Sequence, residues 1–511
     1  MMHEQEKSDL PTVAEKPANN ADGAAAESVE RRGRAEGNTD KTHIRRAQDR
    51  ESMSSGLERV RERARREKKE RFTTLLHHVD ADLLRDAFRW LKRDAAPGVD
   101  GLTWGEYEQD LESRLVDLHE RVHRGAYRAL PSRRKFIPKS DGQERPLGVA
   151  ALEDKIVQRA VVEVLNAIYE EDFLGFSYGF RPGRSPHQAL DALAFGLVRT
   201  KVNHILDCDI RSFFDSLSHE WLIRFVEHRV ADPRIIRLIR KWLKAGVMVD
   251  GNWSATEAGS PQGAVVSPVL ANIYLHYCFD LWAEQWRHRH ARGRVLYVRF
   301  ADDLVAGFEY EQDAQRFLAE LRARLEKFAL KLHPEKTRLI EFGRFAASHR
   351  AKRGLAKPET FNFLGFTHIC GQSRGGYFLL KRKSCRKRMR AKLKALKGEL
   401  KRRMHAPIPA QGRWLAQVLR GYFGYFAVPT NYPQLEAFHY HVKKLWHRTL
   451  RRRSQKDKTT WARTCRLAAA FLPTPRVLHP WPEARFLVNH PRWEPSALIG
   501  PARICAGGAQ Q

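Results

Sequence analysis

Apolar positions recur along the chain at two spacings, and the elements follow from them. Leu76, Val79, Leu83, Ala87 and Trp90 fall three to four residues apart and predict a helix. Ile156, Val157, Ala160, Val161, Val164, Leu165 and Ile168 predict a strongly amphipathic one. Residues 219–244 read as two helices broken near Pro233, and Val265 to Trp282 as an apolar helix. Phe317, Leu318, Leu321, Leu325 and Phe328 form a further helical stripe. Period-two or short apolar runs lie between these. In His204 to Ile210, Leu206, Cys208 and Ile210 face one way while Asp207 and Asp209 face the other. Arg294 to Phe308 reads as a hairpin with Asp302-Asp303 near its tip, and Leu339–Phe342 and Phe361–Phe366 as strands. Asp141-Gly142 is a hairpin turn signal between Phe136-Ile137-Pro138-Lys139 and Arg145-Pro146-Leu147-Gly148. Pro97-Gly98 and Gly259–Gly263 are breaks. Beyond about residue 380 the pattern turns helical and very basic.

Charge changes this picture most. The 511 residues carry a formal +31, which points to a polyanion partner, nucleic acid above all. Residues 381–403 hold a net +12 and residues 443–458 a net +7, more than half of the total. Arg59 to Arg71 adds eight basic and three acidic residues, either a solvated helix or a nucleic-acid contact. Residues 1 to about 55 are poor in apolar side chains and read as disordered. No run of about 18 apolar residues argues for a membrane span. Glu4, Glu6, Lys7 and Asp9 exclude a secretory signal at the start. Six scattered cysteines, none in Cys-x-x-Cys spacing, argue against disulfides or structural zinc and fit a reducing cytoplasm.

Against this basic background, Asp302-Asp303 stands out. Two adjacent carboxylates at an apolar hairpin are costly unless they are solvated or neutralised by a cation. A hard ion such as Mg²⁺ takes oxygen ligands of this kind. Asp209 ends a second hydrophobic strand, with Asp207 and Asp215 as alternatives. Acids on two strands, in a chain with a large cationic surface, suit two-metal phosphoryl transfer.

Several stretches resemble one family. Phe300-Ala301-Asp302-Asp303 is similar to the aromatic-x-Asp-Asp signature of reverse transcriptases, and Asp209 followed by Phe213-Phe214 to their first palm motif. Gly259-Ser260-Pro261-Gln262-Gly263, running on to Ser267-Pro268-Val269-Leu270-Ala271-Asn272-Ile273, resembles the motif of group II intron reverse transcriptase/maturases. Gly98-Val99-Asp100-Gly101, Ile137-Pro138-Lys139 with Arg145-Pro146-Leu147-Gly148, Ser177-Tyr178-Gly179-Phe180-Arg181-Pro182 and Phe363-Leu364-Gly365-Phe366 follow the same family order. Gly421-Tyr422-Phe423-Gly424-Tyr425-Phe426 resembles part of its maturase domain. Phe300 departs from the family's usual Tyr.

The resemblance implies an α+β right-hand polymerase fold, with fingers and palm carrying antiparallel sheet over residues 56–375. A helical thumb/maturase domain would follow over 376–475, with a tail over 1–55 and an extension over 476–511. Only Cys505 lies in the last forty residues, so no endonuclease module is expected there. The implied activity is RNA-directed DNA polymerisation with maturase function, on group II intron RNA, a DNA primer or target, and dNTPs. Alternatives are a maturase-only splicing factor and a domesticated reverse transcriptase in phage defence or CRISPR. By the same resemblance, Asp209, Asp302 and Asp303 would be catalytic and hold two Mg²⁺ ions. Lys139 and Arg145 would meet the triphosphate, and Phe214 would be a steric gate against the ribose 2′-OH. Gln262 would support the template–nucleotide pair, and Lys336 would stand near the phosphates or remain a surface lysine. Arg181, Lys381, Arg382, Lys383, Arg386, Lys387, Arg388, Lys443, Lys444, Arg451, Arg452 and Arg453 are the candidate nucleic-acid contacts. Tyr422, Phe423, Tyr425, Phe426 and Trp446 are either base-stacking rings or helix core.

Overall fold

The computed structural model describes residues 55–138, 144–249, 252–255, 258–259 and 263–489. Helix α1 (Ser55–Arg66) buries Leu57, Val60 and Ala64 against the body of the protein and sends its arginines outward. One of these, Arg65, pairs with Glu171 at 3.0 Å. Strands β1 (Ser132–Pro138) and β2 (Glu144–Val149) pair antiparallel, as the hairpin reading expects. The Asp141-Gly142 turn itself lies outside the described residues. Helix α2 (Leu152–Tyr169) is not the amphipathic surface helix that its spacing suggests. Fifteen of its eighteen residues are buried, and only Glu153, Arg159 and Glu163 keep part of their surface exposed. Its polar side chains are therefore bonded inward: Lys155 donates to the Ala96 carbonyl at 2.9 Å, and Asp154 accepts from Tyr127 and the Leu130 N–H. Helix α3 (Pro186–Arg199) starts at a Ser185–Gln188 capping box. Then come β3 (His204–Cys208) and the two helices expected around Pro233, His219–Glu227 and Pro233–Lys244. Strands β4 (Val247–Val249) and β5 (Asn252–Ser254) complete a sheet of order β2-β1-β4-β5, in which β1 and β4 run parallel.

The apolar run from Val265 is three pieces. Helix α4 (Ser267–Leu275) passes through a π-turn, His276–Asp280, into helix α5 (Leu281–Arg289). Strands β6 (Val295–Phe300) and β7 (Asp303–Phe308), helix α6 (Glu311–Glu326) and strand β8 (Arg338–Glu341) follow. They build the central sheet, order β6-β7-β3-β8, antiparallel throughout. On one face Phe317 of α6 packs against the rings of Tyr297 and Phe308. On the other, Gly196 of α3 lies so close to Leu296 that a Cβ there would stand 2.6 Å from a leucine methyl. That side is covered near Leu296 and opens toward the Asp209 end of the sheet.

Phe361–Phe366 is not one strand. Leu364 and Gly365 take φ of 47° and 83°, which turns β9 (Phe361–Phe363) back into β10 (Phe366–Gln372). Strand β11 (Phe378–Ser384) pairs with β10, so residue 376 falls in a hairpin tip and helix begins only at Arg386. Helices α7 (Arg386–Arg402), α8 (Ile408–Phe426), α9 (Tyr432–Arg451) and α10 (Trp461–Phe471) form the basic segment. Tyr422, Phe423, Tyr425, Phe426 and Trp446 are all buried there, which corrects the base-stacking reading. Tyr422 stacks on Phe438 at 3.7 Å, Tyr425 donates to the Leu364 carbonyl, and Trp446 donates to Gln411. Helix α11 (Pro482–Asn489) returns to α3, where Phe486 stacks on Phe195 at 4.5 Å. Arg382 and Arg485 both pair with Asp191 of α3. Among the described residues, no helix is long and apolar enough to cross a membrane.

Candidate active site

The β6–β7 hairpin closes on the pair Phe300↔Asp303, leaving only Ala301 and Asp302 in the turn. Two-residue turns that match strand twist need positive φ, and Ala301 has φ 56°. Beside it, β3 runs antiparallel to β7 with Cys208 opposite Leu304 as the last pair. The pairing stops there; one further step in that register would set Asp209 opposite Asp303, on the face away from buried Cys208 and Leu304. Side chains directly opposite in such a ladder have Cβ atoms about 4.5–5.5 Å apart, and like charges there repel. Of the three acids weighed on this strand and after it, Asp209 is the one so placed. Asp207 lies one pleat further in, near Arg338 at 3.7 Å. Burial raises its pKa to about 6; Arg338 opposes that rise and the charge of Asp209 adds to it. Asp215 is exposed on the one-turn helix Phe213–Ser216.

Residues 333–337 wrap the end of β3. The His333 N–H donates to the Asp209 carbonyl at 2.7 Å, and Lys336 Nζ lies 3.2 Å from Asp209 Oδ2. Lys336 is thus more than a surface lysine: its ammonium is a cation on the candidate carboxylate. Among the described residues, no three acid, His or Cys side chains already form a closed metal cluster. The donor types still fit a hard divalent ion, because carboxylates stand at the ends of the adjacent strands β3 and β7, with Asp303 exposed and Asp209 and Asp302 partly so.

The Gly259–Gly263 turn is located by its ends. A Cβ on Gly259 would stand 2.9 Å from the Phe214 carbonyl oxygen, and one on Gly263 2.3 Å from that of Gly148 in β2. Both glycines have positive φ, so chain reversal and close approach each require them. Gln158 Oε1 accepts from the Val265 N–H at 2.9 Å and fixes the exit of the turn. Phe213 is core, whereas Phe214 is only half-buried beside this turn, its ring edge-on to Phe213 at 5.3 Å. Lys139 and Gln262 lie outside the described residues, and Arg145 is placed only by its backbone, opposite Ile137.

The candidate nucleic-acid contacts divide. Arg181 is buried, with ion pairing to Glu170 and donation to the Leu174 and Ser177 carbonyls, so it shapes its own loop and does not face a nucleic acid. Arg382 is corrected likewise. The Lys-Arg-Lys run is strand, so period two turns Arg382 inward onto Asp191 while Lys383 stays outside and Lys381 half-exposed. Arg453, just past α9, donates to the His405 and Ala406 carbonyls and ties that segment to the loop between α7 and α8. Arg386, Lys387, Lys444, Arg451 and Arg452 are exposed; Arg388 and Lys443 are partly so. Between α9 and α10 lies a groove of about 640 Å³ that includes Tyr440, Lys444, Arg448, Arg451, Arg452 and Trp461 in its walls. Tyr440 and Trp461 are 48% and 38% exposed, their rings edge to face at 6.0 Å. Sequence reasoning missed both rings, although Tyr440, Lys444 and Arg448 stand at i, i+4 spacing on one helix face.

Residues 137–368 match the family described as reverse transcriptase (RNA-dependent DNA polymerase). The chain is 36% identical over 293 residues to Protein YkfC of Escherichia coli, covering 50% of this chain and 76% of that one. It is 34% identical to the group II intron-encoded protein LtrA of Lactococcus lactis over 43% of this chain and 37% of that one. It is 31% identical to an uncharacterized 91 kDa protein in the cob intron of Schizosaccharomyces pombe, over 52% and 34%. The match thus spans about three quarters of the first relative and about a third of the other two. With residues 137–368 matching that family, and two of these three relatives named for introns, the chain belongs to the reverse transcriptase family, among the group II intron-encoded reverse transcriptase/maturases.

Proposed function

We propose that the chain is an RNA-directed DNA polymerase that also binds its intron RNA and assists splicing. The observation that supports this reading is the β3–β7 register, Cys208 opposite Leu304, whose continuation would bring Asp209 beside Asp303 at the end of the central sheet. In this reading the central sheet is the palm, the β2-β1-β4-β5 sheet belongs to the fingers, and α7–α10 make the thumb and maturase domain. Asp209, Asp302 and Asp303 would hold two Mg²⁺ ions. When bound, such ions supply charge neutralisation for an attacking 3′-hydroxyl and a leaving pyrophosphate. Lys336 balances Asp209 when no ion is there and stands within reach of the phosphates when one is. Phe214 is half-buried, its backbone carbonyl facing Gly259, and in this reading its ring would exclude a ribose 2′-OH. Lys139 and Arg145 would meet the triphosphate.

The splicing role rests on a separate feature. The exposed cations of α7 and α9, with Tyr440 and Trp461 in the groove, suit a folded RNA with unpaired bases. Helix α7 also opens with Arg386, Lys387 and Arg388 and no acid in its first turn, an arrangement that an RNA phosphate would stabilise. Primer extension on an RNA template with Mg²⁺ tests the polymerase. Asp303→Ala should lose synthesis and keep RNA affinity; retained synthesis would overturn the assignment.

A further inference from the structure

The turn that carries Asp302 is held from behind by a closed set of buried polar groups. Arg299, one residue before Phe300 in β6, is 1% exposed. Its Nε and Nη2 donate to the two carboxylate oxygens of Asp280 at 2.7 and 2.5 Å. Its Nη1 donates to Asn272 Oδ1 at 3.0 Å and to the Ala301 carbonyl at 3.1 Å. Asn272 in turn donates Nδ2 to the Gly179 carbonyl at 2.7 Å. Gly179 presses on the other side of the turn: a Cβ there would stand 2.2 Å from the Ala301 nitrogen. The backbone closes the loop, with the Arg299 N–H donating to the Phe176 carbonyl and the Tyr178 N–H to the Arg299 carbonyl, both at 2.8 Å.

We propose that Arg299 and Asp280 are positioning residues for the metal-binding carboxylates, acting through the Ala301 carbonyl. The inference rests on the polymerase reading of the site. Four features separate this role from plain stability. A buried ion pair often contributes no more to stability than apolar side chains of the same size, so packing alone does not explain one here. Lysine could pair with Asp280, but only a planar guanidinium can hold both carboxylate oxygens and still aim a third donor at Asn272 and Ala301. Asp280 ends the π-turn His276–Asp280, and such turns are frequent at functional sites because the extra residue re-aims the side chains around it. Ala301 itself sits in a left-handed conformation that a non-glycine residue keeps only where its surroundings fix it. Asp302 is the next residue, so a loosened Ala301 moves the carboxylate directly.

The test uses the full chain bound to an RNA template–DNA primer duplex. The variant Arg299→Met with Asp280→Leu removes both buried charges together, and Arg299→Lys keeps the charge pair while losing the third donor. Melting temperature, RNA affinity, extension rate at a series of Mg²⁺ concentrations, and Mn²⁺ binding by electron paramagnetic resonance are measured for each. The double variant should melt near wild type and bind RNA equally. Its extension should fall on the order of a hundredfold, as for a site displaced by about an ångström. Mn²⁺ binding should weaken and the Mg²⁺ requirement rise. Arg299→Lys should show the same shifts to a smaller extent, which keeps the test open if the double variant fails to fold. Unchanged Mn²⁺ affinity and Mg²⁺ dependence in folded variants would overturn the proposal. A wild type that binds Mn²⁺ through this turn but makes no DNA would instead overturn the polymerase reading and uphold the positioning role.

Discussion

In the proposed function, the end of the central sheet would act through three carboxylates, Asp209, Asp302 and Asp303, whose placement depends on strand pairing and on the buried polar groups behind the β6–β7 turn. Along α7 to α10 it would act through many exposed cations, Arg386, Lys387, Lys444, Arg451 and Arg452 among them. The first region would depend on position, since Asp209 and Asp303 lie one residue beyond the last pair, Cys208↔Leu304, of the β3–β7 ladder. The second depends on number, since long-range attraction to a polyanion sums over charges and tolerates the loss of any one. The two should therefore fail differently: one substitution silences the first, and only salt or several substitutions together weaken the second.

Salt gives the largest separation between them. If the exposed cations meet about six phosphates, RNA affinity should fall about a thousandfold between 50 and 200 mM salt. Asp302→Ala should leave that slope unchanged, which filter binding at several salt concentrations checks. Within the basic region the groove rings should be the exception to redundancy. Trp461→Leu or Tyr440→Leu should cost about 1–3 kcal/mol of affinity for single-stranded RNA, and much less for a duplex. Equal losses on both would return these rings to a merely structural role.

The joint between the regions gives a smaller effect. His187 of α3 is buried against Tyr425 of α8 and stacked on His479 at 4.1 Å, and burial lowers its pKa to about 2. Its folded pKa lies below the unfolded value of about 6.5, so the unfolded chain binds the extra proton. The corresponding stability is present above pH 6.5 and is lost as pH falls toward 2. Between pH 6 and 4, His187→Phe should lessen the fall in unfolding free energy by about 1.4 kcal/mol per pH unit. Denaturant titrations at three pH values measure it. Phe214→Ala should change least in stability, because the ring is only half-buried, but should raise ribonucleotide incorporation relative to dNTPs. An unchanged ratio alongside a large fall in melting temperature would make Phe214 a core residue.

The sequence was legible where local period carried the information. The β6–β7 hairpin, the strand ending in Asp209 and the Phe317 stripe all follow from period two or 3.6. It was illegible where a distant segment decides. Lys336 reaches Asp209 only because 333–337 folds over the end of β3. Arg382 looks like part of a cationic surface until its run is recognised as strand, and Arg181 until Glu170 is set beside it. Phe361–Phe366 reads as one strand because Leu364 gives no sign that it will take positive φ. The aromatics of 422–446 and the ring at Tyr440 have similar composition around them. Packing between helices, absent from the sequence period, sends the former inward and leaves the latter exposed.

The most direct test of the central claim measures DNA synthesis and RNA affinity on the same preparations. Wild type, Asp209→Asn, Asp302→Asn and Asp303→Asn would be assayed by primer extension on an RNA template with Mg²⁺, and by equilibrium binding to the same RNA. The account predicts that synthesis by wild type is lost in all three variants while RNA affinity stays within about twofold, well under the 1.4 kcal/mol that a tenfold change represents. Synthesis that survives in these variants, or an RNA affinity that falls with it, would contradict the division between a positioned acidic site and a distributed basic surface.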